Sequence, residues 1–241
     1  MAQRAALVTG ASSGIGLAIA RVLGDAGHAL TLAARRPEKL EAAAAELTGE
    51  GYEIHAVAGN LADEEDVRRV VAEHRGRYGR LDVLVNNAGV GSGQAVSELT
   101  AKKVDLQIDT NLRSVILMYR ECHDMLVAAG AEHRSALVIN TASIAGKSGQ
   151  PWLSVYSATK AAVIGFTQAM TKELVESGVK STALCPGYVD TPMTEWLKDR
   201  LSAEDMIQTS DIAAAVRFLL AVSPACVVPE IVFARPGGGG L

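Results

Sequence analysis

The stretch Ala5-Ala6-Leu7-Val8-Thr9-Gly10-Ala11-Ser12-Ser13-Gly14-Ile15-Gly16 decides the fold. Its apolar start, Ala5 to Val8, reads as a buried strand, and Ile15 to Ala26 as a helix closed by Gly27. Between them Gly10 permits a tight turn, Gly14 lets backbone approach a ligand, and Gly16 allows the helix to pack closely on the strand. A helix that begins in such a turn presents unpaired N–H groups to anionic oxygens. Strand, glycine turn and helix in this order form the context of a pyrophosphate site, although Gly10-x-x-x-Gly14-x-Gly16 departs from the G-x-G-x-x-G spacing.

Outward from this unit, apolar runs alternate with helical patterns. Strands are expected at Ala29–Ala33, Glu53–Ala58, Leu81–Val85, Leu137–Asn140, Thr182–Cys185 and Val227–Phe233. Pro37 to Leu47 reads as a helix with proline in its first turn, and Asp63-Glu64-Glu65-Asp66 loads acid onto another helix start. Further helices are expected over Ala101–Ala129, around Tyr156, and over Asp211–Val222. Short strands alternating with helices predict α/β architecture: one Rossmann-type, doubly wound parallel sheet of about seven strands with helices on both faces, spanning residues 1–241. Residues 190–210 have the length of a short substrate lid, and the glycine run of 236–241 reads as a flexible tail.

The 241 residues suffice for one domain with a sizeable core, and at 4% aromatic content that core must be built from Ala, Val, Leu and Ile. A net charge of −4 supplies no basic field for nucleic acid. No apolar run approaches the roughly 20 residues that cross a bilayer. Met1-Ala2-Gln3-Arg4 leads directly into a strand without a signal-peptide pattern, so a cytoplasmic protein is expected. Cys122, Cys185 and Cys226 are odd in number and widely spaced, which fits neither a disulfide frame nor a metal site; all three are expected as small buried side chains. His28, His55, His74, His123 and His133 show no ligand spacing, and no metal is expected.

Tyr156 and Lys160 stand four residues apart and so share a helix face. A nearby ammonium favours the phenolate, so Lys160 is expected to lower the pKa of Tyr156 from its usual value of about 10. A phenol so tuned can pass a proton to or from a substrate oxygen near neutral pH.

With the glycine turn upstream, the chain resembles the classical short-chain dehydrogenase/reductase family from about Ala5 to Phe233. The resemblance rests on Thr9 to Gly16, on Asn86-Asn87-Ala88-Gly89, on Thr110-Asn111-Leu112, on Ser143 within Thr141 to Gly146, on Tyr156 and Lys160, and on Pro186-Gly187-Tyr188-Val189-Asp190-Thr191-Pro192-Met193. It implies a catalytic set of Asn111, Ser143, Tyr156 and Lys160. Tyr156 would be the acid in reduction and the base in oxidation. Ser143 would polarise the carbonyl, Lys160 would bind the nicotinamide ribose, and Asn111 would hold a water on a proton path. The implied cofactor contacts are Gly10, Ser12, Ser13, Gly14, Ile15, Gly16, Arg35, Arg36, Asn60, Leu61, Asn87, Ala88, Gly89, Tyr156, Lys160, Pro186, Gly187, Val189 and Thr191.

The end of the second strand bears on cofactor choice. Ala34 stands where an acid would bind a bare ribose 2′-hydroxyl, and Arg35 follows with a guanidinium suited to a 2′-phosphate. This favours NADP(H), with Ser13 adding a hydroxyl contact and Asn60-Leu61 facing the adenine. Arg36 reads equally well as a surface charge opening the next helix. Substrate contacts are expected from Gln94, Ile144, Gln150, Trp152, Met193 and Trp196, with Gln94 and Gln150 as hydrogen-bonding groups; Met193 and Trp196 serve equally well as lid packing. The leading expectation is an NADP(H)-dependent ketoreductase or alcohol dehydrogenase acting on a small carbonyl or secondary alcohol. A catalytically silent NADP(H)-binding sensor or scaffold is the alternative. The Ala-rich face around Ala158, Ala161, Ala162 and Gly165 would suit a homotetramer or dimer, or a buried helix in a monomer.

Overall fold

A computed structural model describes residues 3–236. The expected tail therefore lies, beyond Pro236, outside the described residues. Seven parallel strands form one sheet in the order β3-β2-β1-β4-β5-β6-β7. They are β1 (Ala5–Thr9), β2 (Ala29–Ala34), β3 (Ile54–Ala58), β4 (Val83–Asn86), β5 (Ala136–Thr141), β6 (Val179–Pro186) and β7 (Glu230–Phe233). The chain crosses over between β3 and β4, so the order reverses beside β1 and opens a crevice at the carboxyl ends of β1 and β4. β1, β2 and β4 are buried throughout, as continuous apolar runs in a parallel sheet must be.

The helices are α1 (Gly14–Asp25), α2 (Pro37–Gly49), α3 (Glu64–Tyr78), α4 (Ala101–Ile108), α5 (Ser114–His133), α6 (Ser154–Leu174) and α7 (Thr209–Ala221). They bury two cores, one on each face of the sheet. Leu7, Leu84, Met118, Leu126 and Val163 belong to one, and Val8, Ile19, Leu23, Leu32 and Val216 to the other. α3 shows local and global signals agreeing. Asp63 accepts from Glu65 N at 2.8 Å, acids fill the first turn, Arg75 and Arg77 the last, and Gly79 closes it at φ 67°. Among the described residues no helix is long and apolar enough to cross a membrane.

Helices cover the expected stretch Ala101–Ala129, as α4 and α5 with a π-helical turn, Asp109–Arg113, between them. Two expectations need correction. β7 starts at Glu230, not Val227, because Pro229 has no N–H to give a ladder. Cys122 and Cys185 are buried, but Cys226 is exposed.

Candidate active site

The glycine turn folds as its residues require. Gly10 and Gly14 have φ values of 64° and 57°, a region costly for any residue with a Cβ. A Cβ on Gly16 would lie 2.6 Å from Asn87 Nδ2 and closer still to the Gly10 carbonyl oxygen, so α1 starts hard against the turn. The Thr9 hydroxyl accepts from Asn87 N at 2.9 Å and Ala88 N at 3.0 Å while donating to Val85 O. Asn87 Nδ2 donates back to the Thr9 and Gly10 carbonyls. The turn after β1 and the segment after β4 are thus one hydrogen-bonded unit. Thr9 and Asn87 hold it together. The sequence signal was the position of Thr9, before the first glycine.

Around this cradle, the Ser12 and Ser13 hydroxyls have no protein partner among the described residues, and Ile15 is half-buried. Ala34 is buried at the end of β2, whereas Arg35 and Arg36 are exposed and make no ion pair among the described residues. Asn60 is exposed, its N–H held by Asp66 Oδ2 at 2.8 Å. The Leu61 side chain is buried in the core and leaves only its backbone toward a ligand. Thr191 leans on the turn, since a Cβ on Gly14 would meet its Cγ2 at 3.0 Å. Gly187 N donates to Phe233 O at 2.9 Å, pinning the chain after Pro186, and Val189 is buried beneath the lid segment.

The predicted catalytic residues converge at the carboxyl ends of β4 and β5. Ser143 is buried; its hydroxyl accepts from Ala145 N at 3.1 Å and donates to Pro186 O at 3.3 Å. Tyr156 and Lys160 both lie on α6, with Lys160 Nζ 5.7 Å from the phenol ring centroid. Lys160 is 4% exposed, and its ammonium donates to Thr141 O at 2.6 Å. The Thr141 hydroxyl in turn donates to Asn87 Oδ1 at 3.1 Å, which joins Lys160 to the glycine turn.

The electrostatics differ from the expectation that Lys160 lowers the pKa of Tyr156. Burial dominates both groups. It pushes the Tyr156 phenol up, with the Ser143 hydroxyl drawing it partly back, and it lowers Lys160 to about 8. Tyr156 is therefore a firmly protonated phenol near pH 7, the form a general acid needs.

Asn111 sits in the π-helical turn, 1% exposed. Its Oδ1 accepts from Val90 N at 2.8 Å, and its Nδ2 donates to Val90 O at 2.9 Å and Thr159 Oγ1 at 3.2 Å. Both amide hydrogens are spent on the protein, and the side chain clamps the loop that carries Gly89. A Cβ on Gly89 would lie 3.4 Å from Asn111 Oδ1 and 3.5 Å from Lys160 Nζ.

The expected substrate residues are less uniform. Ile144 is half-buried beside Ser143, and Trp152, Met193 and Trp196 are exposed. Gln94 is not a free hydrogen-bonding group: its amide donates to Glu98 O and accepts from Lys103 Nζ, each at 2.7–2.8 Å. Gln150 Nε2 donates to Ser148 O. A cleft of about 320 Å³ separates α1 from the 190–198 segment and contains none of the four catalytic candidates. Among the described residues no group of three His, Cys, Asp or Glu is placed to hold a metal ion.

The residues present fit a dinucleotide. Close-packed glycines line a turn with two unpartnered hydroxyls, two free guanidiniums stand at the end of β2, and a buried ammonium has only one of its three donors taken by the protein. Known proteins agree. The chain is 36% identical over 225 residues to the 3-oxoacyl-[acyl-carrier-protein] reductase FabG of Staphylococcus aureus, covering 90% of each. It superimposes on a variant actinorhodin polyketide ketoreductase solved with NADPH at a TM-score of 0.86, with 34% identity and 97% of each chain covered. An alcohol dehydrogenase from the archaeon Thermococcus sibiricus, complexed with 5-hydroxy-NADP, gives 0.86 at 31% identity, covering 97% of this chain and 98% of that one. With the model of the family described as short chain dehydrogenase matching residues 4–201, the chain belongs to the short-chain dehydrogenase family.

Proposed function

We propose that this chain is an NADP(H)-dependent carbonyl reductase, working between a ketone and a secondary alcohol with Tyr156 as the proton donor and acceptor. The carrying observation is the convergence of a protonated phenol, a serine hydroxyl and a buried ammonium beside a glycine-lined anion cradle. The reductases and the alcohol dehydrogenase it resembles support the reaction class.

Gly10, Ser12, Ser13, Gly14, Ile15 and Gly16 would hold the pyrophosphate, and Arg35 and Arg36 the 2′-phosphate. Asn60 and the Leu61 backbone would border the adenine, and Asn87, Ala88 and Gly89 the ribose. Pro186, Gly187, Val189 and Thr191 would border the nicotinamide end. When bound, the nicotinamide supplies the hydride. Ser143 turns its hydroxyl from Pro186 O to the carbonyl oxygen and stabilises the charge that develops there. Tyr156 donates its proton to that oxygen, or in oxidation removes one from the alcohol. Lys160 holds the ribose with the donors Thr141 leaves free. Asn111 positions Val90 and Gly89 against the site; any water on the proton path is held by its oxygens, because its amide hydrogens are engaged.

The segment 190–210 acts as a lid within one domain. It is braced internally by Lys198, which pairs with Asp190 at 3.3 Å and Glu195 at 2.8 Å. A cytoplasmic homotetramer assembled partly through α6 is the assembly this reading favours. Exposed Ala158 and Ala161, with open space around Gly165, would allow close helix packing. The deciding experiment is Tyr156→Phe, assayed for NADPH oxidation with a panel of ketones. Fold and NADPH affinity should survive the loss of one oxygen, while turnover falls by about 10² or more. Wild-type turnover in the variant would remove Tyr156 from the chemistry; a wild type that binds NADPH but reduces no ketone would favour the sensor reading.

A further inference from the structure

Trp152 is held in a conformation its side chain does not favour. Its φ is 68°, in the left-handed region where a bulky residue is an outlier. Such backbone persists where its surroundings enforce it, and it gathers at functional sites. Here a backbone contact holds it: Gln94 N donates to Trp152 O at 2.7 Å, and Gly93 runs alongside that carbonyl. The same loop passes the catalytic phenol, since a Cβ on Gly91 would lie 3.6 Å from the Tyr156 ring. One loop thus passes both Tyr156 and the strained turn that precedes it.

Burial does not account for this tryptophan, because it is 73% exposed. The chain's other tryptophan, Trp196, stands in the lid segment and is 66% exposed. In a chain with so few aromatics, neither indole serves the core. Three lysines of these loops already have partners: Lys103 with Gln94, Lys147 with Glu230, and Lys198 with Asp190 and Glu195. That arrangement does not call for a carboxylate or phosphate on the substrate.

We infer that Trp152 is a specificity-determining residue whose indole stacks on the substrate beyond the reacting carbonyl, and that the substrate is a neutral ketone carried on a flat aromatic ring system. This rests on the carbonyl-reductase reading above. Offset stacking of aromatic faces adds to simple burial, on a scale of roughly tenfold in binding.

The test compares α-tetralone, a fused aromatic ketone, with a straight-chain methyl ketone of equal carbon count, for wild type, Trp152→Phe and Trp152→Gly. Glycine removes the indole and tolerates the positive φ; phenylalanine keeps a ring. Wild type should prefer α-tetralone by about tenfold in kcat/KM. Trp152→Gly should lose that preference while the straight-chain ketone changes less than about twofold, and Trp152→Phe should keep most of it. Equal loss on both ketones, or no loss on either, overturns the inference. If Trp152→Gly also lowers the mass measured by light scattering and both activities fall together, the indole covers a second copy of the chain and the inference is likewise overturned.

A binding measurement separates this from failure of the underlying reading. In Trp196→Phe, Trp152 is the only tryptophan, and α-tetralone should quench its fluorescence where the straight-chain ketone does not. Selective quenching supports the stacking site even if no ketone is reduced. Absence of quenching with NADPH bound refutes it whatever the activity.

Discussion

Gly16→Ala sets two effects against each other, and the structure says which wins. Alanine is a better helix former than glycine by about 1 kcal/mol, so the change would ordinarily stabilise α1. At this position the new Cβ would lie 2.6 Å from Asn87 Nδ2, with the Gly10 carbonyl closer still. Ordinary van der Waals contact begins near 3.4 Å, so Asn87 must retreat by about 0.8 Å and the rigid turn must move with it. Overpacking of this kind costs about 1–3 kcal/mol. The shift also endangers the Asn87 bonds to the Thr9 and Gly10 carbonyls, each contributing about 1 kcal/mol. The net expectation is a loss of about 1–3 kcal/mol, which for a chain of this size lowers Tm by roughly 2–12 °C, together with weakened NADPH binding. Gly76→Ala is the internal control. It lies in the exposed face of α3 with nothing within 4 Å of a new Cβ, and should stabilise by about 0.5–1 kcal/mol. Urea unfolding and NADPH titration of both variants give the answer. If Gly16→Ala proves as stable as Gly76→Ala and binds NADPH unchanged, the glycine is not required by close packing and this account of the turn is wrong.

Three further outcomes are expected. NADPH affinity, followed from pH 6 to 10 by fluorescence, should weaken as pH rises through about 8, where Lys160 loses its charge; Lys160→Met should bind weakly at every pH, and a flat wild-type profile would disconnect the ammonium from the cofactor. Arg35→Ala should weaken NADPH by roughly 10- to 150-fold, the worth of a charge-assisted bond of about 1.5–3 kcal/mol, and leave NADH almost unchanged. Adding Ala34→Asp should invert the preference, and a wild type that binds NADH as tightly as NADPH would refute the Arg35 contact. His74 is fully buried between Thr31 Oγ1 at 2.7 Å and Arg80 O at 2.9 Å, and burial lowers its pKa to about 4. The unfolded chain, at about 6.5, then binds the extra proton first, so His74 contributes fully above pH 6.5 and loses up to about 3 kcal/mol as pH falls toward 4. Buried His28, also lowered, acts in the same direction, and His74→Gln should flatten the slope of urea midpoint against pH.

The elements and residues legible in the sequence are those whose signals are local. The glycine spacing announced its own backbone, since positive φ at Gly10 and Gly14 follows from residue type and context. The strands were readable as apolar runs, and the residues that converge at the carboxyl ends of β4 and β5 as an ordered series of short motifs. What escaped depends on neighbours distant in the chain. The π-helical turn at Asp109–Arg113 turns Asn111 toward Val90 and Thr159, 21 and 48 residues away, and no period in the local sequence encodes that. Gln94 is engaged because Lys103, one helical turn into α4, reaches back to it. The expected Lys160 effect on Tyr156 took spacing for environment. Four residues on a helix set the proximity, but burial, a property of the whole fold, sets the direction of both shifts.

The same distinction explains why the site holds together without a counter-ion for its lysine. A buried ammonium facing a carboxylate would keep its charge to high pH, but the pair would be self-sufficient. Here Lys160 faces the neutral Thr141 carbonyl, so two of its donors remain available and its pKa falls toward the working range. The Thr141 hydroxyl holds Asn87, Asn87 holds the Thr9 and Gly10 carbonyls, and Thr9 holds Asn87 and Ala88 in return. A displacement at the glycine turn therefore reaches Lys160 through a continuous run of hydrogen bonds. On this geometry the glycine turn and Lys160 are one hydrogen-bonded unit, and a substitution in either should register in both binding and turnover.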